Sequence, residues 1–405
     1  MQDREGTLDI AAGSVDELLT RLDDPAFYAG DPFPTYARLR RDAPIAWNPG
    51  LGYWVASRHA EVVEISKDVE RFCSGRGVLT FEIGVDYPAP PTMMHTDPPE
   101  HTRYRNLVWP GFSPPRMRVL EPRVRERART LIGRIEAGVA FDVVEGIAIE
   151  YPLMIIAELL GVPDDAWPRF YEWSEASIPQ DDGRSEDDRA AARAEMQRFL
   201  MESTLARRGD PRDDLVSVLA NAEVNGERLS DDELLMFLNQ LLVAGNETVR
   251  NTISSGMWAL AHRPDQWRRL VGDPSLVPRA VEEWLRWSSA VISFMRTAIV
   301  DTELAGQAIR AGDPVLMLYA SANRDEAVFG PTAGAFDAGR NPNPHVAFGF
   351  GAHFCVGAAL ARMEARVLLE ELLARFTTIE PAGAISRSHS SVIAGITHAP
   401  LTLGV

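Results

Sequence analysis

The residue best suited to chemistry is a cysteine near the end of a glycine-rich segment, residues 348–357. Cys355 stands where a long helical pattern begins, so its sulfur would face the positive end of the helix dipole and unpaired backbone N–H groups. Both favour the thiolate, the form that binds metals. Gly351 and Gly357 permit turns or close approaches that a side chain would block. A lone cysteine beside a turn is also commonly a buried structural residue, and the cysteine alone leaves this alternative open.

A second candidate lies in the middle of the longest apolar helical pattern. The pattern starts at a capping box, residues 230–233, and meets no proline before Pro264. About thirty helical residues measure about 45 Å, enough to cross the interior. The middle reads Ala244-Gly245-Asn246-Glu247-Thr248, and such polar groups cost stability in a buried helix unless they are used. The alternative is a local kink in which Thr248 bonds back to its own backbone.

Two charged pairs have helical spacing. His101 and Arg105 are four residues apart behind a predicted helix start, and Glu283 and Arg286 are three apart in a second predicted helix. Taken alone, each pair is an ordinary surface pair that contributes a few tenths of a kcal/mol. Neither pair indicates a function without the other candidates.

Together these residues resemble a known family. The spacing Phe-x-x-Gly-x-His-x-Cys-x-Gly in residues 348–357 resembles the haem-ligand loop of the cytochrome P450 family, in which a thiolate is the axial ligand of the iron. Cys355 matches the ligand position. The segment 244–248 fits the family's oxygen-binding sequence, with Glu247 as the acid and Thr248 as the alcohol. The motifs follow the family's order along the chain.

The resemblance implies a haem b cofactor and assigns residues to it. The implied haem contacts, besides the iron ligand Cys355, are His101, Arg105, Ala244, Gly245, Arg296, Phe348, Gly351, His353 and Gly357. Among them, the two histidines and two arginines match the positions that hold the haem propionates. Glu247 and Thr248 would be catalytic, delivering protons during oxygen activation. Glu283, Arg286 and Arg340 match the family's structural network.

The resemblance also implies a substrate class. Asn246 and residues 341–345 are similar to members that oxidise sterols and terpenoids. The implied pocket residues are apolar: Val78, Leu79, Val243, Val291, Ile292, Phe294, Val392 and Ile393. Gln240 and Ser293 could add one or two hydrogen bonds. We therefore expect a monooxygenase that inserts one oxygen atom from O2 into a hydrophobic terpenoid- or steroid-like molecule.

Three alternatives remain open. A macrolide or other natural-product tailoring oxidase would need a wider pocket mouth, which the sequence does not exclude. A peroxide-driven haem enzyme is more remote, since such family members lack the acid–alcohol pair present at Glu247 and Thr248. A non-enzymatic haem sensor is also remote, because no residues are left over for an effector domain.

Composition sets the expected partners and location. The two cysteines, Cys73 and Cys355, are too few for an iron–sulfur cluster, so electrons would come from separate proteins. The family resemblance implies that these are a ferredoxin and its reductase. A net charge of −17 argues against nucleic acid and anionic membranes. Neither a signal peptide nor a membrane span is apparent, which favours the cytoplasm. Candidate cations for ferredoxin docking are Arg103, Arg116, Arg362 and Arg366.

The elements that must position these residues give a mainly α fold with small β-sheets. We expect a single haem-thiolate monooxygenase domain over residues 1–405, with a long central helix across the haem and residues 1–30 as a lead-in. The patterns predict a surface segment over 1–43, a hairpin over 44–57, a helix over 59–67, a substrate-facing loop over 74–96, an exposed stretch over 163–185 and a hairpin over 390–405.

Overall fold

The structure is a computed structural model that describes residues 13–85, 92–163, 166–177, 185–212, 214–224 and 226–405. The helices are α1 (Val15–Thr20), α2 (Phe33–Asp42), α3 (His59–Lys67), α4 (Glu100–Val108), α5 (Pro114–Gly133), α6 (Glu150–Leu159), α7 (Trp167–Ser177), α8 (Glu186–Gly209), α9 (Leu215–Ala220), α10 (Asp231–Ala261), α11 (Pro264–Gly272), α12 (Val277–Ser288), α13 (Tyr319–Ala322), α14 (Glu326–Phe329) and α15 (Ala358–Arg375). Helix makes up 58% of the structure, which confirms the predicted mainly α class.

The strands are short. They are β1 (Ile45–Asn48), β2 (Tyr53–Ala56), β3 (Phe72–Cys73), β4 (Ala140–Asp142), β5 (Glu223–Val224), β6 (Glu227–Arg228), β7 (Ser293–Ala298), β8 (Thr302–Leu304), β9 (Gln307–Ile309), β10 (Pro314–Leu318), β11 (Thr378–Pro381), β12 (Ser386–Arg387), β13 (Ile396–His398) and β14 (Pro400–Gly404). The largest described sheet has the order β1-β2-β10-β7-β3. Its β1–β2 pair is the predicted hairpin, with Trp47 opposite Trp54.

The long helix α10 is organised as its sequence predicts. The Ser230 hydroxyl accepts a hydrogen bond from the Glu233 backbone N–H at 3.2 Å, and the Glu233 carboxylate accepts one from the Ser230 N–H at 2.7 Å. This capping box fixes the first turn. A side chain at Gly256 would clash with the indole of Trp284, so glycine lets α10 approach α12 closely. The helix therefore runs through the main hydrophobic core.

The N-terminal segment is not the surface lead-in that its acidic composition predicts. Leu18, Leu19 and Leu22 are at most 2% exposed and pack with Tyr36 in a second core cluster. That cluster also includes Ile292, so the segment supports the strand region beside the candidate site. The prediction was wrong because charges on one face of a short helix masked the apolar face. Residues 1–12 lie outside the described range.

Two further local predictions were wrong. Residues 163–185 are not simply exposed: α7 occupies part of the stretch, and its Phe170 and Trp173 are buried in the core. Residues 390–405 do not form a hairpin, since β13 pairs with β12 while β14 pairs with β11 and β4. Such distant pairings cannot be read from local alternation. No described helix is long and apolar enough to cross a membrane.

Candidate active site

A large cavity lies between α10, the segment before α15 and strand β7. It encloses about 1650 Å³ of empty space, including the part open to solvent. Many residues predicted for the site line it: His101, Arg105, Ala244, Gly245, Thr248, Val291, Phe294, Arg296, Phe348, His353, Cys355 and Gly357.

Cys355 is presented to this cavity by a tight loop. Its backbone N–H donates to the Phe348 carbonyl at 2.9 Å. Cys355 lies two residues before Gly357, the N-cap residue of α15. Gly351 has a φ of +70°, and a side chain there would clash with the Ser66 carbonyl of α3. Burial raises the pKa of the Cys355 thiol, whereas the Gly357 N–H acts to lower it. A bound metal ion would deprotonate such a thiol outright.

Four basic side chains line the cavity from three different elements. Arg105 of α4 donates to the Phe354 carbonyl at 2.7 Å, and Arg296 of β7 donates to the Met295 carbonyl at 2.7 Å. The rings of His101 and His353 lie 4.1 Å apart between centroids.

This basic cluster is approached by one carboxylate, Asp97, which acts on His101 and Arg296 without an ion-pair contact. No carboxylate of the described residues forms an ion pair with His101, Arg105, Arg296 or His353. Burial, followed by Arg296 and the other neighbouring bases, lowers the pKa of His353 to about 2. Burial likewise lowers the pKa of Arg105, Arg296 and His101. An anion placed among these bases would favour their charged forms, so the cluster fits the two propionates of a haem.

The polar break in α10 faces the same cavity through Thr248. The Thr248 hydroxyl donates to the Ala244 carbonyl at 2.7 Å, the back-bond expected for the structural alternative. Thr248 nevertheless lines the cavity, and its hydroxyl oxygen keeps capacity to accept a hydrogen bond. A side chain at Gly245 would approach Ile156 of α6 to 3.0 Å, so glycine lets the helices pack closely here. The polar break in α10 thus allows close packing against α6 at Gly245 and places Thr248 at the cavity.

Glu247 lies beside this hydroxyl in the chain but is not part of the cavity wall. Burial raises the pKa of its carboxyl, Arg250 acts to lower it and Glu175 acts to raise it. Arg250 and Glu175 are joined at 2.5 Å. A carboxyl with a raised pKa holds its proton at a higher pH than usual, which suits a group that transfers protons.

Comparisons with known proteins agree with this geometry. The family model described as Cytochrome P450 matches residues 171–273 and 274–401. Linalool 8-monooxygenase of Pseudomonas putida is 38% identical over 392 residues, covering 93% of this chain and 96% of that protein. The chain belongs to the cytochrome P450 family.

Two other P450 proteins extend the comparison. Steroid C26-monooxygenase of Mycolicibacterium smegmatis is 38% identical over 391 residues, covering 91% of this chain and 89% of that protein. The structure of CYP109E1 from Bacillus megaterium in complex with corticosterone has a TM-score of 0.85 and 30% identity, covering 95% of this chain and 100% of that one. The protein is an oxygen-dependent P450 monooxygenase whose cofactor is a thiolate-ligated haem.

The three residues predicted to form a structural network, Glu283, Arg286 and Arg340, are in contact in the structure. Glu283 and Arg286 are both fully buried, and the guanidinium donates to both carboxylate oxygens at 2.7 Å. Arg340 adds a hydrogen bond to Glu283 at 3.2 Å. Arg286 also donates to the carbonyls of Asn323 and Ala333. The network therefore ties α12 to the segments that lead into the cysteine loop.

Several predicted pocket residues lie away from the cavity wall. Val78 and Ile292 are at most 3% exposed in the packing beside it, and Val243 is 38% exposed. Val392 accepts a hydrogen bond from the Ile292 N–H at 2.8 Å, and Ile393 forms a bridge with Val291. Leu79 and Gly351 are also outside the wall. Of the predicted apolar positions, Val291 and Phe294 reach the cavity directly.

Other wall residues were not predicted. Phe237, Leu241 and Thr252 lie on the same face of α10 as Thr248, at separations of three to four residues or multiples of a turn. Extending the helical period from Thr248 would have found them. Ile156 of α6 comes from a distant helix. Nothing in its local sequence signals this position.

Ion pairs neutralise most of the arginines predicted to dock a ferredoxin. Arg362 forms two hydrogen bonds to Glu282, at 2.7 and 2.9 Å, and lies over the Phe348 ring at 4.6 Å. Arg366 pairs with Glu121 and Glu370, and Arg103 with three glutamates. Their charges are therefore largely compensated within the protein, in contrast to the predicted basic patch.

Proposed function

We propose that this P450 hydroxylates a hydrophobic molecule of terpenoid or steroid type, with electrons from a separate ferredoxin and reductase in the cytoplasm. The observation that carries the proposal is the composition of the cavity wall. Away from the basic cluster, its lining is mostly apolar, including Met93, Leu241, Val249, Val291 and Phe294. Such a wall binds ligands through buried apolar area, about 25 cal/mol per Å².

One polar group in the wall is suited to a single substrate hydroxyl. Gln240 lines the cavity, and its buried Oε1 atom accepts no hydrogen bond from the described residues, so a rotation of the amide would be needed to turn this atom toward a ligand. An unsatisfied buried acceptor is costly unless a ligand or water satisfies it. A terpene alcohol or a hydroxysteroid carries one such donor on an otherwise apolar frame, which also fits the substrates named for the two curated relatives.

The chain's own residues would divide the work as follows. The haem supplies the oxygen-activating chemistry that no side chain can provide. Arg105, Arg296 and the neighbouring histidines hold its propionates. Thr248 accepts a hydrogen bond from a water and orients it in the cavity. Glu247, which lies outside the cavity wall, would rotate its carboxylate toward that water and pass a proton to it. The apolar wall keeps other water out, so protons arrive by this route.

The proposed docking surface for a ferredoxin is the side of the molecule that carries the cysteine loop. Arg362 stacks on Phe348, whose carbonyl accepts the Cys355 N–H, so this surface is close to the iron ligand. Because Arg362 is paired with Glu282, docking would depend more on shape and apolar contact than on net charge.

The test is a spectral titration with matched compounds. Terpenoids and steroids should displace iron-bound water and shift the haem from low to high spin, whereas fatty acids and large macrolides should not. Gln240→Leu should weaken binding of a terpene alcohol while leaving the corresponding hydrocarbon unaffected. A shift produced only by macrolides would replace the proposal with the tailoring-oxidase alternative. A spin-state shift produced only by compounds with a carboxylate would contradict both the terpenoid or steroid proposal and the tailoring-oxidase alternative.

A further inference from the structure

A buried glutamate and a histidine join the two ends of the segment that follows β3. Glu82 is 3% exposed and ends a short turn, while His95 ends another turn before α4. The His95 Nε2 atom lies 3.1 Å from both carboxylate oxygens of Glu82. The same carboxylate accepts hydrogen bonds from the backbone N–H groups of Val78 at 2.9 Å and Leu79 at 3.0 Å.

The histidine is held on its other side as well. The Thr92 hydroxyl oxygen lies 2.8 Å from His95 Nδ1 and accepts a hydrogen bond from the Met94 N–H at 3.2 Å. A neutral imidazole with its proton on Nε2 satisfies this arrangement, because it donates to Glu82 and accepts from Thr92. The ring therefore has a partner at each nitrogen, which fixes its orientation.

The contact has direct consequences for the cavity. Met93 and Met94, the two residues before His95, form part of the cavity wall. On the other side, the Val78 carbonyl accepts a hydrogen bond from the Met295 N–H at 2.7 Å. Met295 stands between Phe294 and Arg296 of β7, which also line the cavity. The Glu82–His95 contact thus links two parts of the wall that are distant in sequence.

We propose that the Glu82–His95 contact is a clasp that positions Met93 and Met94 in the cavity wall and so limits the size of the ligands that the cavity admits. The proposal rests on the proposed function only in that substrate binds in this cavity. Glu82 and His95 touch neither haem nor substrate in this account. They are positioning residues.

The chemistry of the clasp favours a rigid wall. Burial raises the pKa of Glu82, but the hydrogen bonds from His95, Val78 and Leu79 outweigh it, and the pKa lies below its usual value. The carboxylate is thus ionised, and hydrogen bonds to a charged group are stronger than neutral ones. Methionine side chains are flexible and repack readily, so Met93 and Met94 need such a backbone anchor to define a size limit.

The experiment uses nitrogen ligands of graded bulk, from imidazole to large aryl azoles, which bind the haem iron and report through the Soret band. The variants are Glu82→Gln, His95→Gln and the double variant of the full-length haem protein. His95→Gln is the milder one, because Glu82 keeps its two backbone partners. His398→Gln is the matched control. It removes a histidine–carboxylate contact of 2.6 Å between the exposed side chain of His398 and Asp142.

We expect each clasp variant to favour bulky azoles. The ratio of dissociation constants for the bulky and small ligands should fall by about three- to tenfold, as expected for the loss of one hydrogen bond of this kind. The double variant should behave like Glu82→Gln, because that substitution already removes the contact with His95. The control should match the parent. An unchanged ratio in both single variants, with native Soret spectra, overturns the proposal.

Hydrogen exchange provides a second, ligand-independent readout. Glu82→Gln weakens the acceptor for the Val78 and Leu79 amides, and His95→Gln frees the segment around Met93, so exchange should accelerate in both places. If exchange accelerates only locally and the azole ratio stays unchanged, the contact is structural and the size-limit proposal is wrong. Azole binding does not depend on the substrate class, so this result is separate from a failure of the proposed function.

Discussion

Arg250 of α10 and Glu175 of α7 form an ion pair of 2.5 Å, one helical turn beyond Glu247. Both residues are 8% exposed. Alongside them, the Asn246 side chain donates to the Ser174 hydroxyl at 2.9 Å. Helix α7 is therefore fastened to α10 at the position of the acid, and the charges of this pair act on the Glu247 carboxyl.

The first prediction concerns the pH dependence of product yield. Arg250 opposes the effect of burial on Glu247, so Arg250→Gln should raise the pKa of Glu247 further. Glu175→Gln should lower it, since a like charge is removed. If protonated Glu247 donates the proton, yield falls as pH rises through its pKa. The pH at which product per electron declines should then be higher in Arg250→Gln and lower in Glu175→Gln than in the parent.

The control for this pH profile is Arg129→Gln, which removes an exposed ion pair with Glu371. It should leave the profile unchanged. Identical profiles in the parent, Arg250→Gln and Glu175→Gln would show that this pair does not tune Glu247.

The second prediction separates oxygen use from product formation. Thr248→Ala removes the hydroxyl that we propose orients water in the cavity, so oxygen consumption should continue while much of it is diverted to peroxide. Glu247→Gln should slow turnover, because an amide does not relay a proton as a carboxylate does. Thr248→Ser should restore the yield. Full product per electron in both Thr248→Ala and Glu247→Gln would leave the helix break a purely structural feature.

Much of the fold could be predicted because its signals are local. The capping box at Ser230, the alternation on either side of Asn48-Pro49-Gly50 and the helical period after Cys355 each fix an element from neighbouring residues alone. The failures depend on distant partners. The burial of Leu18 requires Tyr36, and β14 pairs with β4, which precedes it by more than 250 residues.

The site divides in the same way. The motif residues around Cys355 and Thr248 lie at the cavity because their spacing specifies a loop and a helix face. The apolar part of the cavity wall was less predictable. Ile156 of α6 lines the cavity, whereas Val78 does not, and its backbone carbonyl accepts a hydrogen bond from the Met295 N–H. The ion pairs of Arg362 with Glu282 and of Arg366 with Glu121 could not be predicted from the sequence either, because these glutamates lie on other helices.

The third prediction concerns stability. Arg286→Leu leaves the fully buried Glu283 without its bidentate partner and removes hydrogen bonds to the carbonyls of Asn323 and Ala333. Breaking one side of a buried pair costs about 3–5 kcal/mol. Denaturant unfolding should show a loss of this size. Arg129→Leu, at an exposed pair, should cost at most about 1 kcal/mol. Equal losses in the two variants would contradict the role of the buried network.

The fourth prediction concerns reduction by a ferredoxin. Because Glu282 compensates Arg362, the parent should show only a shallow salt dependence of its reduction rate. Arg362→Glu places a negative charge beside Glu282 and near the Phe348 ring, so it should slow reduction while leaving ligand affinity intact. Stopped-flow reduction at low and high salt measures both effects. A steep salt dependence in the parent would indicate a basic dock elsewhere on the surface.

The central claim is that Cys355 is the axial thiolate of the haem, and the carbon monoxide difference spectrum tests it most directly. The reduced, carbon monoxide-bound parent should show the red-shifted Soret band of a thiolate-ligated haem. Cys73→Ser, which alters the buried thiol of β3, should keep that band. Cys355→His should lose both the band and the activity even where haem still binds, whereas an unchanged red-shifted band in Cys355→His would contradict the assignment.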